Sequence, residues 1–150
     1  MFKIDLADME IIKALLNDSR MPYTQLAEKI GLSRVRVKQR IEELQKKGVI
    51  EKFTIQIQSQ FLNKPLPVFF NVIIQPKFLE DTAIKISSHP NISIVYQVSG
   101  ADALHIHGFF NNMEEVAFFI NHFLSEFDGI INVSTDFLLK RYKSNPGVIV

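Results

Sequence analysis

The sequence predicts an α+β protein with two domains, and three observations lead to this fold class. Apolar residues recur at helical spacing over the first third of the chain, and they alternate with a period closer to two from Val49 onwards. A polar stretch with two prolines, QSQFLNKPLP, then precedes a second apolar region. That region orders its predicted elements as β-α-β-β-α-β. We therefore expect a helical domain over residues 1–52, a strand and linker over 53–66, and a mixed domain over 67–150.

Three helices are predicted in the first domain. Asp5 is the expected N-cap of the first helix. A short second helix covers residues 23–30 and ends at Gly31, where the chain turns. Ser33 is the expected N-cap of the third helix, which is followed by Gly48. Two helices joined by a tight turn that contains glycine are the signature of a helix-turn-helix, here expected in a winged-helix-like domain.

The pattern changes after the third helix. The stretch VIEKFTIQI alternates closely enough to predict a strand, and the linker follows it. In the second domain we predict strands at VFFNVIIQP, SIVYQVS, ALHIHGFF and INVSTDFLLKRY, with helices over residues 78–89 and 113–127. This order is the split βαβ, or ferredoxin-like, arrangement.

A ferredoxin-like sheet has helices on one face only, so its other face must meet water or a partner. Large apolar residues occupy both faces of the predicted strands, among them Phe69, Ile73 and Phe109. We therefore expect the open face to pack against a second subunit. His105 and His107 share a strand face, a spacing that can hold a metal, but the sequence places no third ligand beside them. Packed histidines are the preferred interpretation, and no metal site is predicted.

Composition excludes several classes of protein. The 150 residues are 47% hydrophobic and 22% charged, which is ordinary for a globular chain. No cysteine is present, so disulfides, thiolate metal sites and cysteine nucleophiles are excluded. The sequence shows neither a membrane span nor a signal peptide, and we expect a cytoplasmic protein without a membrane partner. Since it also shows no phosphate-binding loop, no Ser/His/Asp set and no paired carboxylates, we expect neither catalytic residues nor a cofactor.

Basic charge gathers in the first domain. Residues 1–52 hold 11 Lys and Arg against 8 Asp and Glu, whereas the remainder holds 6 against 8. The charge is densest on the third helix, where four cations lie within seven residues: Arg34, Arg36, Lys38 and Arg40. A helix carries so many like charges most readily when something negative lies opposite it.

The third helix separates an apolar stripe from an exposed polar face. At about 100° per residue, three side chains fall together and must face the core; these are Val37, Ile41 and Leu44. Val35 and Gln39 point away from them, flanked by Arg36 and Lys38. An amide can pair with adenine, Arg with guanine, and a valine can contact the methyl group of thymine. The flanking cations can neutralise phosphates.

We therefore predict that double-stranded DNA is a partner of this helix. The predicted DNA-binding residues are Ser33, Arg34, Val35, Arg36, Lys38, Gln39 and Arg40. The alternative is a solvated surface helix whose cations are balanced by Glu42 and Glu43. The capped helix, the glycine turn and the uneven charge together favour DNA binding, because the helix N-terminus, which usually enters the groove, remains basic.

The sequence resembles a known family of regulators in both of its predicted domains. The first 54 residues look like the N-terminal domain of the Lrp/AsnC (feast/famine) transcription regulators. The matching positions are Ile4-Asp5, Tyr23, Leu26-Ala27, Gly31-Leu32-Ser33, Val37, Arg40-Ile41, Leu44 and Gly48-Val49-Ile50. The stretch VSGADALHI resembles the Gly-x-Asp turn of the family's ferredoxin-like effector module. The resemblance implies dimers that form through the sheet and often assemble into octamers, with amino-acid effectors bound near this turn.

The turn between the second and third strands of the module is the predicted effector site. Glycine allows a close backbone approach, exposed amides and a serine can bind a carboxylate, and an aspartate can pair with an α-ammonium group. The alternative is a plain hairpin turn. The predicted effector-binding residues are Gln97, Ser99, Gly100, Ala101, Asp102 and Thr135. Ala101 stands where the family often has an aromatic residue, which favours a medium polar ligand such as glutamine.

The function predicted from these observations is a sequence-specific, DNA-binding transcriptional regulator whose DNA binding or assembly responds to a small amino acid. Its expected partners are double-stranded DNA, a free amino acid and further copies of itself, as a homodimer that assembles to an octamer. An architectural DNA-binding protein without effector control is the alternative. We do not expect an enzyme.

Overall fold

The computed structural model describes residues 3–99 and 103–142, and it confirms the α+β fold class. The chain divides into two compact units, which meet in sequence between Gln56 and Ile57. Each unit has its own cluster of buried apolar side chains. Within the described residues, no helix combines the length and the apolar character that crossing a bilayer requires.

Three helices form the first unit: α1 (Leu6–Asn17), α2 (Tyr23–Ile30) and α3 (Arg34–Lys46). Asp5 is the N-cap of α1, as predicted, and its carboxylate accepts a hydrogen bond from the backbone N–H of Asp8 at 2.8 Å. Gly31 ends α2 with φ of 73°, in the left-handed region that glycine enters without steric strain. The helix-turn-helix prediction is therefore confirmed.

The core of the first unit draws on all three helices. Its buried side chains are Ile11, Ala14, Leu15, Leu26, Ala27, Val37, Ile41 and Leu44. Fully burying a large aliphatic side chain contributes about 1.5–3 kcal/mol, so this cluster is the main force that holds the helices together.

The strand predicted at VIEKFTIQI, before the linker, is wrong for the described chain. Residues 51–58 have no regular secondary structure, and a 3-10 turn at Ser59–Leu62 follows them. The alternating residues Phe53, Ile55 and Ile57 are exposed instead of buried. The physical reason is that a strand forms only within a ladder of backbone hydrogen bonds, and the ladders among the described residues join only the four strands of the second unit.

The second unit is a four-stranded antiparallel sheet with helices, in the predicted order β-α-β-β-α-β. Its elements are β1 (Leu66–Ile74), α4 (Leu79–Ser87), β2 (Ile92–Val98), β3 (Ala103–Phe110), α5 (Met113–Phe118) and β4 (Ile130–Phe137). The strands lie in the order β2-β3-β1-β4, so β2 and β4 are the edges. The single helix predicted over 113–127 is a composite, because α5 continues as a π turn at Phe119–Phe123 and a 3-10 turn at Leu124–Glu126.

The two faces of the sheet differ in burial. Along β1 and β3, fully buried residues alternate with half-buried ones, as the period of a strand requires. The buried set meets the helices and includes Val68, Phe70, Val72, Ile74, Leu104, Ile106 and Phe110. The half-buried set forms the open face and includes Phe69, Asn71, Ile73, His105, His107 and Phe109.

A buried polar network fixes the loop that precedes β2. Asn91 is only 8% exposed, and its side-chain amide donates a 2.8 Å hydrogen bond to Glu115. The other carboxylate oxygen of Glu115 accepts the backbone N–H of Asn111 at 2.6 Å. The Asn91 carbonyl oxygen accepts from the ammonium group of Lys64. The Asn111 N–H, and then the Asn91 amide, hold the pKa of Glu115 below its ordinary value.

We predict that Glu115→Ala lowers the free energy of unfolding by about 1–3 kcal/mol, because it leaves the buried Asn91 amide without its acceptor. Urea denaturation followed by circular dichroism at pH 7 measures this change. Since the pKa of Glu115 is depressed in the folded state, its contribution is present above the ordinary value of 4.5 and is lost as the pH falls below it. The difference between the two proteins should therefore narrow in acid.

The neighbouring residue supplies the control for this prediction. Glu114 is exposed at the start of the same helix, and we expect Glu114→Ala to change stability by less than about 0.5 kcal/mol. Equal denaturation midpoints for the Glu114→Ala and Glu115→Ala variants would contradict a stabilising role for the network.

Candidate nucleic-acid interface

The third helix begins at a capped N-terminus. The hydroxyl oxygen of Ser33 accepts a hydrogen bond from the backbone N–H of Arg36 at 3.2 Å, which satisfies one of the free donors at this end. The helix dipole makes the same end electropositive, and Arg34 and Arg36 add to that charge. Ser33 and Arg34 are both exposed. The end of α3 is thus accessible and positive, as contact with a phosphate backbone requires.

The face of α3 opposite the core is open to solvent. Val37, Ile41 and Leu44 are completely buried, which fixes the side of the helix that faces inward. Val35, on the opposite side, is 64% exposed, and Gln39 is exposed beside it. The predicted separation between an apolar stripe and a polar outer face is therefore present.

Two side chains of the outer face contact each other. A guanidinium N–H of Arg36 donates to the side-chain oxygen of Gln39 at 3.5 Å, one helical turn away. Lys38 lies 3.6 Å from the carboxylate of Glu42, with both side chains well exposed. Exposed pairs of this kind contribute little to stability, so the Lys38 ammonium group can exchange its partner for a phosphate at small energetic cost.

Arg40 does not belong to this outer face, although we predicted a contact with DNA. Its Nη1 donates to Asp5 Oδ2 at 2.8 Å and to Asp8 Oδ1 at 2.7 Å, and its side chain is only 22% exposed. The backbone N–H of Asp8, and then the Arg40 guanidinium, lower the pKa of Asp5. The sequence analysis missed this role, because the helical wheel of α3 carries no information about acidic residues more than thirty positions earlier.

A groove of about 640 Å³ lies between the start of α1 and this flank of α3. Four basic and four acidic side chains line it, together with Gln39. Because the charges balance, the groove has no net preference for an anion or a cation.

The residues predicted to bind the effector are only partly brought together. Ser99 is exposed in the turn after β2, whereas Gly100, Ala101 and Asp102 lie outside the described residues. Gln97 is exposed on β2, and Thr135 is half-buried on β4. These are the two edge strands, so β3 and β1 separate them by three strand spacings, or about 14 Å. One copy of the chain cannot present Gln97 and Thr135 to the same small ligand.

Aromatic and imidazole rings cluster on the open face of the sheet. The ring centroids of Phe69 and His107 are 4.5 Å apart, and those of His105 and His107 are 5.2 Å apart. Burial, and then the neighbouring His105, lower the pKa of His107, so the neutral imidazole is favoured there. Across the part of the chain that the structure describes, no three metal-ligating side chains converge.

Comparison with known families assigns each unit of the chain. Residues 4–51 match the winged helix-turn-helix DNA-binding family. Residues 67–148 match the Lrp/AsnC ligand binding domain. The second match alone covers more than half of the sequence.

Curated relatives resemble the chain over most of its length. The transcriptional regulator LrpA of Pyrococcus horikoshii is 29% identical over 140 residues, which is 93% of this chain and 99% of that protein. The regulator LrpC of Bacillus subtilis is 29% identical over 119 residues, covering 79% of this chain and 83% of that protein.

Solved structures share the fold at lower identity. A transcriptional regulator of Neisseria meningitidis, solved in complex with L-Met, superimposes with a TM-score of 0.89 at 21% identity, covering 98% of this chain and 97% of that one. AsnC of E. coli superimposes with a TM-score of 0.85, also at 21% identity, covering 95% and 97% of the two chains. At this level of identity the similarity establishes the fold.

Proposed function

Because the chain belongs to the Lrp/AsnC family of DNA-binding transcriptional regulators, and not to a family of enzymes, we propose that it reads a specific DNA sequence and responds to a free amino acid. The observation that carries this proposal is the exposed face of α3, which lies opposite a completely buried apolar stripe. A regulator of this kind acts in the compartment that holds the DNA, which agrees with our expectation of a cytoplasmic protein.

We assign direct readout of bases to three side chains of α3. Arg36 and Gln39 carry the donors and the acceptor that major-groove edges recognise, and Val35 can contact a thymine methyl group. Their exposure leaves all three accessible to a base edge. The 3.5 Å contact between Arg36 and Gln39 shows that the two side chains lie next to each other on the outer face, which supports a joint role.

We expect the capped end of α3 and its cations to position the protein on the phosphate backbone of DNA. We assign this role to Ser33, Arg34 and Lys38, all of which are exposed. Contacts to phosphates fix the register of the protein on the duplex without reading the sequence. We exclude Arg40, whose guanidinium group is already bound to two carboxylates.

The effector is assigned to the hairpin between β2 and β3. The family match describes the second unit as a ligand binding domain. Within it, the turn offers Ser99 and backbone amides to a carboxylate, and Asp102 to an ammonium group. Gln97 precedes the turn on the same strand. Thr135 lies across the sheet, so it must come from a second copy if it contacts the same ligand.

The identity of the amino acid is a narrower proposal. Residue 101 is alanine, which has a small side chain, and on that basis we put glutamine first among candidates. The Neisseria protein of the same fold was solved with L-Met, so methionine belongs in any panel that is tested. A ligand can shift assembly or DNA binding only by the difference in its affinity for the two states.

Assembly is assigned to the open face of the sheet. Phe69, Ile73 and Phe109 are apolar and only half-buried in the single chain, so water contacts them unless a second copy covers them. A two-fold dimer also presents two copies of α3, which doubles the DNA site and sets the spacing of its halves. We propose a homodimer built on this face, with further assembly to an octamer.

We predict that Arg36→Ala and Gln39→Ala each weaken binding to a duplex that the parent protein selects from a randomised library, by about 1–3 kcal/mol. Lys38→Gln is the matched control on the same helix. It should weaken selected and random duplexes equally and reduce the slope of affinity against salt by about one phosphate. Fluorescence anisotropy at several salt concentrations measures both effects. Parental affinity of the Arg36→Ala and Gln39→Ala proteins for the selected duplex would remove α3 from base readout.

We predict that the protein sediments as a dimer or larger species at micromolar concentration, and that Phe69→Glu shifts it towards the monomer, since a buried charge without a partner opposes association. Ile84→Glu is the control, because Ile84 is 63% exposed on α4, on the covered side of the sheet. That variant should remain at least dimeric. A monomeric parent protein would contradict assembly through this face.

We predict that Asp102→Ala weakens amino-acid binding by about 1.5–3 kcal/mol, the contribution of a hydrogen bond to a charged group, while it leaves basal DNA affinity unchanged. Calorimetric titration with a panel that includes glutamine and methionine measures this loss. Asp128→Ala, at an exposed position before β4, is the control and should bind as the parent does. Parental affinity in Asp102→Ala would place the site elsewhere. If no amino acid bound the parent protein, the architectural alternative would gain support.

A further inference from the structure

The two acidic residues at the start of α1 use every carboxylate oxygen. Asp5 Oδ1 accepts the backbone N–H of Asp8 at 2.8 Å, and Asp8 Oδ2 accepts the backbone N–H of Asp5 at 3.2 Å. These two bonds form a capping box at the helix N-terminus. The two remaining oxygens, Asp5 Oδ2 and Asp8 Oδ1, both accept from Nη1 of Arg40. The cap of α1 is therefore completed by a side chain of α3.

Burial separates this contact from the other ion pairs of the domain. The side chains of Arg40 and Asp8 are 22% and 7% exposed, whereas those of Lys38 and Glu42 are 61% and 59% exposed. The nitrogen–oxygen distance is 2.7 Å between Arg40 and Asp8 and 3.6 Å between Lys38 and Glu42. If Arg40 turned outward to a phosphate, the buried Asp8 carboxylate would lose its cation, which is strongly unfavourable. Arg40 is thus held against the start of α1, although its Asp5 partner is 52% exposed.

The contact of Arg40 with the two aspartates adds directional hydrogen bonds to the packing of the apolar core. Burial of Val37, Ile41 and Leu44 fixes the side of α3 that faces inward, but the hydrophobic effect itself is not directional, so it sets the rotation of the helix only coarsely. Hydrogen bonds depend on both distance and angle, so the two bonds of Arg40 fix how α3 is rotated about its axis. Arg40 lies one helical turn after Arg36 and directly follows Gln39. A rotation of α3 that breaks these bonds also moves both side chains that we assign to base readout.

We propose that Arg40, Asp5 and Asp8 form a positioning clamp that sets the orientation of the DNA-reading face of α3. Arg40 acts through Arg36 and Gln39 and does not itself contact DNA. The inference rests on the proposed reading role of α3. It assigns two acidic residues of α1 to sequence-specific DNA binding, although their own charge repels DNA.

The test compares Arg40→Gln, Asp8→Asn and the double variant with the parent protein. Affinity is measured for the duplex selected by the parent protein and for a random duplex, at several salt concentrations. Lys38→Gln serves as the control for loss of a phosphate contact. Arg40→Lys, which keeps a cation beside Asp8, replaces Arg40→Gln if circular dichroism shows that the latter does not fold.

We expect Arg40→Gln and Asp8→Asn each to weaken binding to the selected duplex about tenfold or more. Because both variants break the same contact, the double variant should bind as well as the more strongly affected single variant. The salt slope should stay at the parental value. Asp8→Asn is decisive, because removal of a negative charge alone strengthens DNA binding, whereas loss of the clamp weakens it.

Three results would overturn the clamp. A salt slope lowered as in Lys38→Gln would make Arg40 a phosphate contact. Tighter binding of the Asp8→Asn variant to both duplexes would mean that Asp8 affects DNA binding only through its negative charge. If both single variants bound DNA with the parental affinity, the contact would contribute only to the stability of the fold. If α3 did not read DNA at all, Arg36→Ala and Gln39→Ala would also bind as the parent does, which separates failure of the proposed function from failure of the clamp.

Discussion

The helical period of α3 is the constraint on which the DNA-binding unit depends. It gathers Val37, Ile41 and Leu44 on one side, and their complete burial leaves the outer side of the helix exposed. The helices α1 and α2 supply the surface that buries this stripe. The acidic residues at the start of α1 then add two hydrogen bonds with Arg40 to a helix whose inward side is already set by burial. In the clamp that we propose, these bonds refine an orientation that the apolar stripe sets coarsely.

In the second unit, the two-residue period of the β-strands separates a buried face from an open face. Alternation along β1 and β3 sends one set of side chains to the helices and leaves the other on the open face. The open face is neither a second core nor a polar surface, because it carries phenylalanine rings beside two histidines. Burial disfavours the charged form of His107, which is compatible with the association that we propose for this face. One face of the sheet thus packs into the core, and the other is the face to which we assign assembly.

Sequence analysis succeeded wherever a local pattern determines a local structure. The three helices, the caps at Asp5 and Ser33 and the four strands of the second unit all follow from spacing and turn residues. It failed where the deciding partner is distant in sequence. The strand expected at VIEKFTIQI has the right alternation but is not in any strand ladder of the described residues, and Arg40 has acidic partners that no helical wheel of α3 includes. Gln97 and Thr135 are far apart because the strand order places them on opposite edges.

The polar network around Asn91 has a consequence for how such proteins can be recombined. Lys64 is held by Asn91, and the turn at Ser59–Leu62 directly precedes it, so this part of the connecting segment belongs structurally to the sheet. The prolines and polar residues that mark a linker in the sequence therefore include residues that are anchored to the sheet. A chimera that exchanges DNA-binding units between relatives should therefore be joined before residue 59. A junction at residue 66 would import a foreign residue at position 64 and separate the network from its ammonium group.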